Sequence, residues 1–121
     1  MSNSELRRQI TAIASHFPLF KCVECAVAIK IFLVELGIQG KQIKIYTGST
    51  EEPYCNIYHE VLQENISTNG RHEAIAVCIN GEEVIFDNIH PQGIARIDWL
   101  NNLYCPIIDI GGDFIITEID F

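Results

Sequence analysis

Two cysteines, Cys22 and Cys25, stand at the start of the most strongly apolar stretch of the chain, residues 22–36. A thiol attacks as its thiolate, and the free N–H groups and dipole of a helix N-terminus stabilise that anion. Cys22 takes the first helical position, whereas Cys25 lies about one turn further in, where the dipole effect has faded. The position therefore favours Cys22 as a nucleophile, although most free cysteines are simply small buried side chains.

A histidine and an aspartate, His72 and Asp87, lie on either side of Asn80-Gly81, a dipeptide typical of a two-residue hairpin loop. If those two residues form the loop, Ile79 pairs with Glu82, and His72 and Asp87 become diagonal neighbours on one face. Their Cα atoms would then be roughly 7–8 Å apart. In that geometry a carboxylate holds one imidazole nitrogen while the other nitrogen faces a thiol. A register shift of one residue would place the two side chains on opposite faces.

The charge and hydropathy of the chain argue against two classes of partner. Sixteen acidic and eight basic residues give a formal net charge of −8, which repels nucleic-acid phosphates unless the cations gather in one patch. Lys41 and Lys44 are too few for such a patch. The longest apolar run, residues 26–36, falls short of the roughly 18–20 residues that a membrane span needs. We therefore expect neither a nucleic-acid partner nor a membrane.

The five cysteines, at positions 22, 25, 55, 78 and 105, are an odd number in a chain whose N-terminus lacks a secretory signal pattern. Disulfide frameworks usually have an even number and accompany export. Free thiols in a reducing compartment are therefore predicted, in the cytoplasm of the producing cell or of a cell that receives the protein. No long segment that could deliver the domain into another cell precedes it, so we expect the chain to be either a domain excised from a larger protein or a free-standing protein.

The elements that must position these residues begin with two helices. Apolar positions predict a short amphipathic helix over residues 4–16, and Phe17-Pro18 ends it. Residues 22–36 form the strongest helical pattern, apolar on most sides, which is typical of a buried central helix that stops at Gly37. A third, weaker pattern predicts a short helix over residues 55–64.

Mostly antiparallel strands follow within residues 42–119. Residues 42–47 alternate as one strand, residues 72–79 and 82–88 form the central hairpin, and a helix is predicted over 96–103. Residues 107–110 and 114–119, around Gly111-Gly112, suggest a final hairpin. Ala74 and Ala76 share a face with His72 and leave room for a helix to pack closely. The pattern indicates a single α+β domain over residues 1–121, one antiparallel sheet packed on a central buried helix.

Three segments resemble a papain-like or transglutaminase-like core. The first is Cys22-Val-Glu-Cys-Ala26 with Leu36-Gly37-Ile38, and the others are residues 69–75 and Val84-Ile-Phe-Asp87-Asn88, which are similar to the His strand and the Asp strand of that core. Residues 87–91, Gly93 and Trp99-Leu100 fit as well. From about Phe17 to Leu103 the chain resembles the second papain fold toxin family of bacterial polymorphic toxin systems.

That resemblance implies a Cys-His-Asp site formed by Cys22, His72 and Asp87. The expected activity is thiol-dependent hydrolysis or acyl transfer (protease, deamidase or transglutaminase-like) on an amide bond of a protein or peptide, with no cofactor and no metal. A cognate immunity protein is an expected partner. The motifs can also be aligned with Cys25 as nucleophile, but the spacing from Cys22 to Gly37 favours Cys22.

Three other interpretations stay open at this point. Cys22-x-x-Cys25 has metal-ligand spacing that His72 or Cys78 could complete, although a structural zinc site usually shows a second close pair. A thioredoxin-like redox pair is weaker still, because the βαβ context is missing. Alternatively the fold is a catalytically inactive binding domain whose interface includes the tyrosines at 46, 54 and 58. Under all of these interpretations the histidines at 16, 59 and 90 lie in exposed or loop positions and have no catalytic role.

Overall fold

The computed structural model describes residues 1–121 and has an α+β architecture, with helices packed on antiparallel sheets. In chain order the elements are α1 (Asn3–Ala14), α2 (Cys22–Glu35), β1 (Lys41–Tyr46), β2 (Ile57–His59), β3 (Glu64–Ser67), β4 (Arg71–Ile79), β5 (Glu82–Phe86), α3 (Arg96–Asn101), β6 (Leu103–Tyr104), a 3-10 helix (Pro106–Ile110) and β7 (Ile115–Asp120). The predicted helices at 4–16, 22–36 and 96–103 and the strand at 42–47 are confirmed to within a few residues.

The larger sheet has the strand order β5-β4-β1-β7, with every pair antiparallel. Its β4–β5 hairpin has the predicted register, in which Ile79 pairs with Glu82. Asn80 and Gly81 both adopt positive φ, 55° and 80°, which is why these residue types occupy the two-residue loop. The register fixes which side chains of β4 share a face with residue 72.

Helix α2 packs on one face of this sheet. Its buried side chains, with those of α1, contact the face that carries Ile75, Val77 and Ile79. The central helix α2 therefore does not cover Ala74 and Ala76. The larger apolar side chains bury more area against the helix, and the alanine face receives bulkier partners instead.

A second sheet, with strand order β3-β2-β6, forms the other half of the core. Ala74 and Ala76 face this layer, where they pack with Trp99 of α3 and with apolar residues of both sheets. Trp99 is completely buried. The small alanine side chains thus make room for an indole ring and for the second sheet, which sequence patterning did not predict.

Two predicted elements are wrong. Residues 55–64 form strand β2 and the start of β3 rather than a helix, so His59 lies in a buried strand. Residues 107–119 do not form a hairpin: Pro106–Ile110 is a 3-10 helix, and β7 pairs with β1. Both segments are short, and their conformation depends on strands distant in sequence.

The outer side of α2 differs from the uniformly buried helix that its composition suggests. Four residues, Val23, Val27, Ile31 and Val34, form an exposed apolar stripe along the helix, while its opposite side is buried. No helix of the structure is long and apolar enough to cross a bilayer.

Candidate active site

Asp87 follows the last residue of β5 and is completely buried. Its Oδ2 accepts hydrogen bonds from Nε2 of His72 at 2.8 Å and from Nε1 of Trp99 at 2.9 Å. Its Oδ1 accepts from the backbone N–H of Ile89 at 3.0 Å and from the backbone N–H and Nδ1 of His90, at 2.6 and 3.0 Å. Burial alone would raise the pKa of this carboxyl, but the hydrogen bonds from His72 and His90 hold the pKa far below its usual range.

His72 lies near the start of β4, and its side chain is also completely inaccessible to solvent. Because an ionised carboxylate can only accept, the bond to Asp87 assigns a proton to Nε2. Nδ1 is buried and has no partner of good hydrogen-bond geometry. Burial lowers the pKa of His72, but the interactions with Asp87 and with the Cys22 thiol outweigh it and raise the pKa to about 9. The Cys22 thiol is thus one of the two groups that raise the pKa of the His72 ring.

Cys22 is the first residue of α2, and 7 % of its surface is exposed. Its backbone N–H has no intrahelical acceptor, as at any helix start. Asn88 donates from Nδ2 to the carbonyl of Pro18 at 2.9 Å, which ties the segment before α2 to the strand end that carries Asp87. The structure thus joins His72 directly to Asp87 and holds the segment before Cys22 against the strand end that carries Asp87.

Cys25 differs from Cys22 in its surroundings. It is completely buried in the core between α1, α2 and the sheet. Burial, and then the negative charge of Asp87, raise the pKa of the Cys25 thiol to about 12. A thiol that stays protonated near neutral pH is a poor nucleophile.

Trp99 also contacts Asp87, and the sequence analysis had given this residue no role in the site. Its indole N–H donates to the same Asp87 oxygen as His72, and the His72 and Trp99 ring centroids are 6.4 Å apart. A buried tryptophan requires a hydrogen-bond partner for its N–H, so its place on a short helix after Asp87 was the available signal.

A comparison with known families finds one match. A family model described as Papain fold toxin 2 matches residues 5–104, which is most of the chain. The chain belongs to this family. The match contains both helices that precede the sheet, the β4–β5 hairpin and α3, so all residues around Asp87 lie inside it. Strand β7 lies outside. No curated protein and no solved structure matches this papain fold toxin domain.

Two histidines assigned to plain loop positions prove to be part of the buried network of this toxin domain. His90 donates to Asp87, and its Nε2 lies 3.0 Å from Nε2 of His59. His59, predicted to be exposed, is 2 % exposed. Sequence offered no signal for His59, because its partner is a turn residue far along the chain.

The residues considered for a metal site do not converge in this papain fold toxin domain. No group of three or more His, Cys, Asp or Glu side chains has an arrangement suited to a metal ion. Cys78 is exposed and Cys25 lies in the core, whereas His72 directs its Nε2 to Asp87. The Cys22-x-x-Cys25 spacing reflects one turn of α2.

Proposed function

We propose that this papain fold toxin domain is a thiol-dependent hydrolase or acyl transferase that acts on an amide bond of a protein. Cys22 is the nucleophile, His72 the general base and Asp87 the group that orients the base. One observation carries the proposal: a completely buried imidazole is fixed by a carboxylate through Nε2, leaves Nδ1 without a hydrogen-bond partner, and has its pKa raised by the thiol of a cysteine at a helix N-terminus.

The first chemical step uses that free nitrogen. Nδ1 of His72, whose raised pKa favours the charged ring, holds the thiol proton of Cys22, and the thiolate sulfur attacks the substrate carbonyl carbon while the carbonyl π electrons move to oxygen. The backbone N–H of Cys22, unpaired within the helix, can donate to this oxyanion. Asp87 stabilises the imidazolium that forms, and its other hydrogen bonds keep it ionised.

Collapse of the tetrahedral intermediate completes the acylation. The carbon–nitrogen bond breaks, the leaving amine takes the proton from His72, and a thioester to Cys22 remains. A water molecule deprotonated by His72 then attacks the thioester and releases a carboxylic acid and the free thiol. If an amine attacks instead of water, the same steps give acyl transfer.

The surface around Cys22 is suited to a peptide substrate. Phe20 and Val23 flank Cys22 in the sequence and are 54 % and 46 % exposed. Phe20 adopts φ 71°, an unusual conformation for a bulky residue, and strain of this kind concentrates at functional sites. The two side chains offer an apolar contact for the substrate residues next to the scissile amide. A protein substrate is therefore the favoured class.

Competitive alkylation tests the nucleophile. The protein is treated with limiting iodoacetamide between pH 5 and 9, and the labelled cysteines are quantified by peptide mapping. We expect Cys22 to be labelled faster than Cys78, the exposed thiol that serves as internal reference, and Cys25 to remain unlabelled near neutral pH because its pKa is about 12.

A His72→Gln variant separates activation from mere exposure. Glutamine keeps a donor for Asp87 but cannot take a thiol proton, so Cys22 should then react more slowly than Cys78. Equal labelling of Cys22 in the two proteins, or a wild-type Cys22 that reacts no faster than Cys78, would contradict the proposed function.

A further inference from the structure

A line of hydrogen bonds continues from Asp87 away from His72. Oδ1 of Asp87 lies 3.0 Å from Nδ1 of His90, and Nε2 of His90 lies 3.0 Å from Nε2 of His59. The line ends where Nδ1 of His59 accepts the backbone N–H of Leu62 at 3.1 Å. The chemistry proposed above makes no use of His59 or of this end of the network.

The two ends of the line fix every proton within it. The backbone N–H of Leu62 can only donate, so Nδ1 of His59 is unprotonated and its proton lies on Nε2. That N–H donates to Nε2 of His90, whose own proton must therefore lie on Nδ1. There it donates to Asp87, which can only accept. A single arrangement satisfies all bonds, and both imidazoles are neutral in it.

Adding a proton to either ring breaks this arrangement. If His90 were charged, both its nitrogens would donate, and His59 would have to turn a protonated Nδ1 towards the N–H of Leu62. If His59 were charged, the same two donors would meet. Besides His90, the ionisable groups that act on His59 are Asp87, His72 and Glu60, and burial and His90 are the largest causes that lower the pKa of His59.

We propose that His59 is a positioning residue that keeps His90 neutral, so that the charge of Asp87 acts on His72. This role rests on the proposed function. A neutral His90 donates a hydrogen bond to Asp87 without neutralising it, whereas a charged His90 at the same 3.0 Å would compete with His72 for the carboxylate. The N–H of His59 prevents this by occupying the only site on His90 that can take a proton.

Loss of His59 should therefore weaken the base through His90. The His90 side chain is 12 % exposed, so a freed Nε2 can take a proton from solvent. Asp87 would then share its charge between two imidazolium rings. A drop of one unit in the pKa of His72 corresponds to about a tenfold change in the balance between its two protonation states.

Three variants and two readouts test the proposal. His59→Phe removes both polar atoms and keeps a ring, His59→Gln keeps an N–H that can reach His90, and His16→Gln alters an exposed histidine as control. Long-range ¹H–¹⁵N NMR spectra report the tautomer of each histidine, and iodoacetamide labelling against pH reports the reactivity of Cys22.

We expect wild-type His90 as the Nδ1–H tautomer and neutral at pH 7. In His59→Phe the spectra should show that Nε2 of His90 has gained a proton at pH 7, and Cys22 labelling should slow about tenfold, whereas His59→Gln and His16→Gln should stay near wild type. An Nε2–H tautomer or a charged His90 in the wild type refutes the proposal even if His59→Phe does not fold.

The two proposals fail in distinguishable ways. Fast labelling of wild-type Cys22 with no change in His59→Phe refutes the positioning role alone. A wild-type Cys22 without enhanced reactivity refutes the proposed function and the positioning role with it, whatever tautomer His90 shows.

Discussion

The raised pKa of His72 should make the stability of the fold depend on pH in a defined range. In the folded protein this pKa is about 9, against an ordinary value of 6.5. The folded state therefore holds the proton more tightly, and its contribution to stability is fully present below pH 6.5 and is lost as pH rises through 9. A pKa difference of this size corresponds to about 3 kcal/mol in total.

The part of that range below pH 8 isolates the pair of His72 and Cys22. Between pH 6.5 and 8 the free energy of unfolding should fall by about 1.5 kcal/mol if the proton on His72 comes from solvent. It should stay constant if that proton is the one that Cys22 has lost, because the folded and unfolded states then hold equal numbers of protons. The Cys25 thiol, with a pKa of about 12 when folded, lowers stability only where the unfolded thiol ionises, near pH 9. His59, whose pKa is lowered by burial and by His90, adds a small opposite rise in stability near pH 6.5, where the unfolded histidine releases its proton.

Urea unfolding followed by circular dichroism at half-unit steps of pH measures this dependence. His72→Gln is the matched variant, because glutamine keeps a donor for Asp87 and has no titration. Subtracting the two curves removes every group that they share. The reasoning is refuted if His72→Gln shows the same fall as the wild type. A constant wild-type free energy from pH 6.5 to 8 refutes uptake of a proton from solvent and assigns the proton on His72 to Cys22.

Two further predictions concern the carboxylate and a glycine. Asp87→Asn should leave Cys22 labelling close to that of an ordinary thiol and lower turnover of a substrate by about 10³–10⁴-fold; a turnover within tenfold of wild type would contradict an orienting role. Gly93→Ala should destabilise the protein more than Gly81→Ala, because the positions have φ 86° and 80° but only at Gly93 would a Cβ meet a side chain, Val84 Cγ1 at 2.5 Å. Chemical denaturation compares the two, and equal losses would show that backbone strain alone decides.

The part of the site that local sequence could predict is the hairpin. Asn80 and Gly81 both require positive φ, so the loop has one register, and the register places His72 beside Asp87. The extent of α2 was similarly predictable, since an apolar helical run begins after Pro18 and stops at Gly37. Geometry that depends on neighbouring residues follows from residue types alone.

The rest of the site depends on contacts between distant segments. His59 is buried because β2 pairs with β3 and β6 and because a histidine 31 residues away receives its N–H. Residues 55–64 lack the alternation of a half-buried strand, so nothing local marked them as β structure. The same holds for β7, which pairs with β1 rather than with the segment just before it.

The chain contains a single tryptophan, and that residue donates its indole N–H to the carboxylate that also holds His72. Indole emission responds to the charge and proton donors around the ring, so the tryptophan fluorescence of the unlabelled protein comes from one known place beside Asp87 and His72. A change in emission on adding a candidate substrate, inhibitor or immunity protein would thus report an event within this site. The single tryptophan can therefore report binding at this site without an added label.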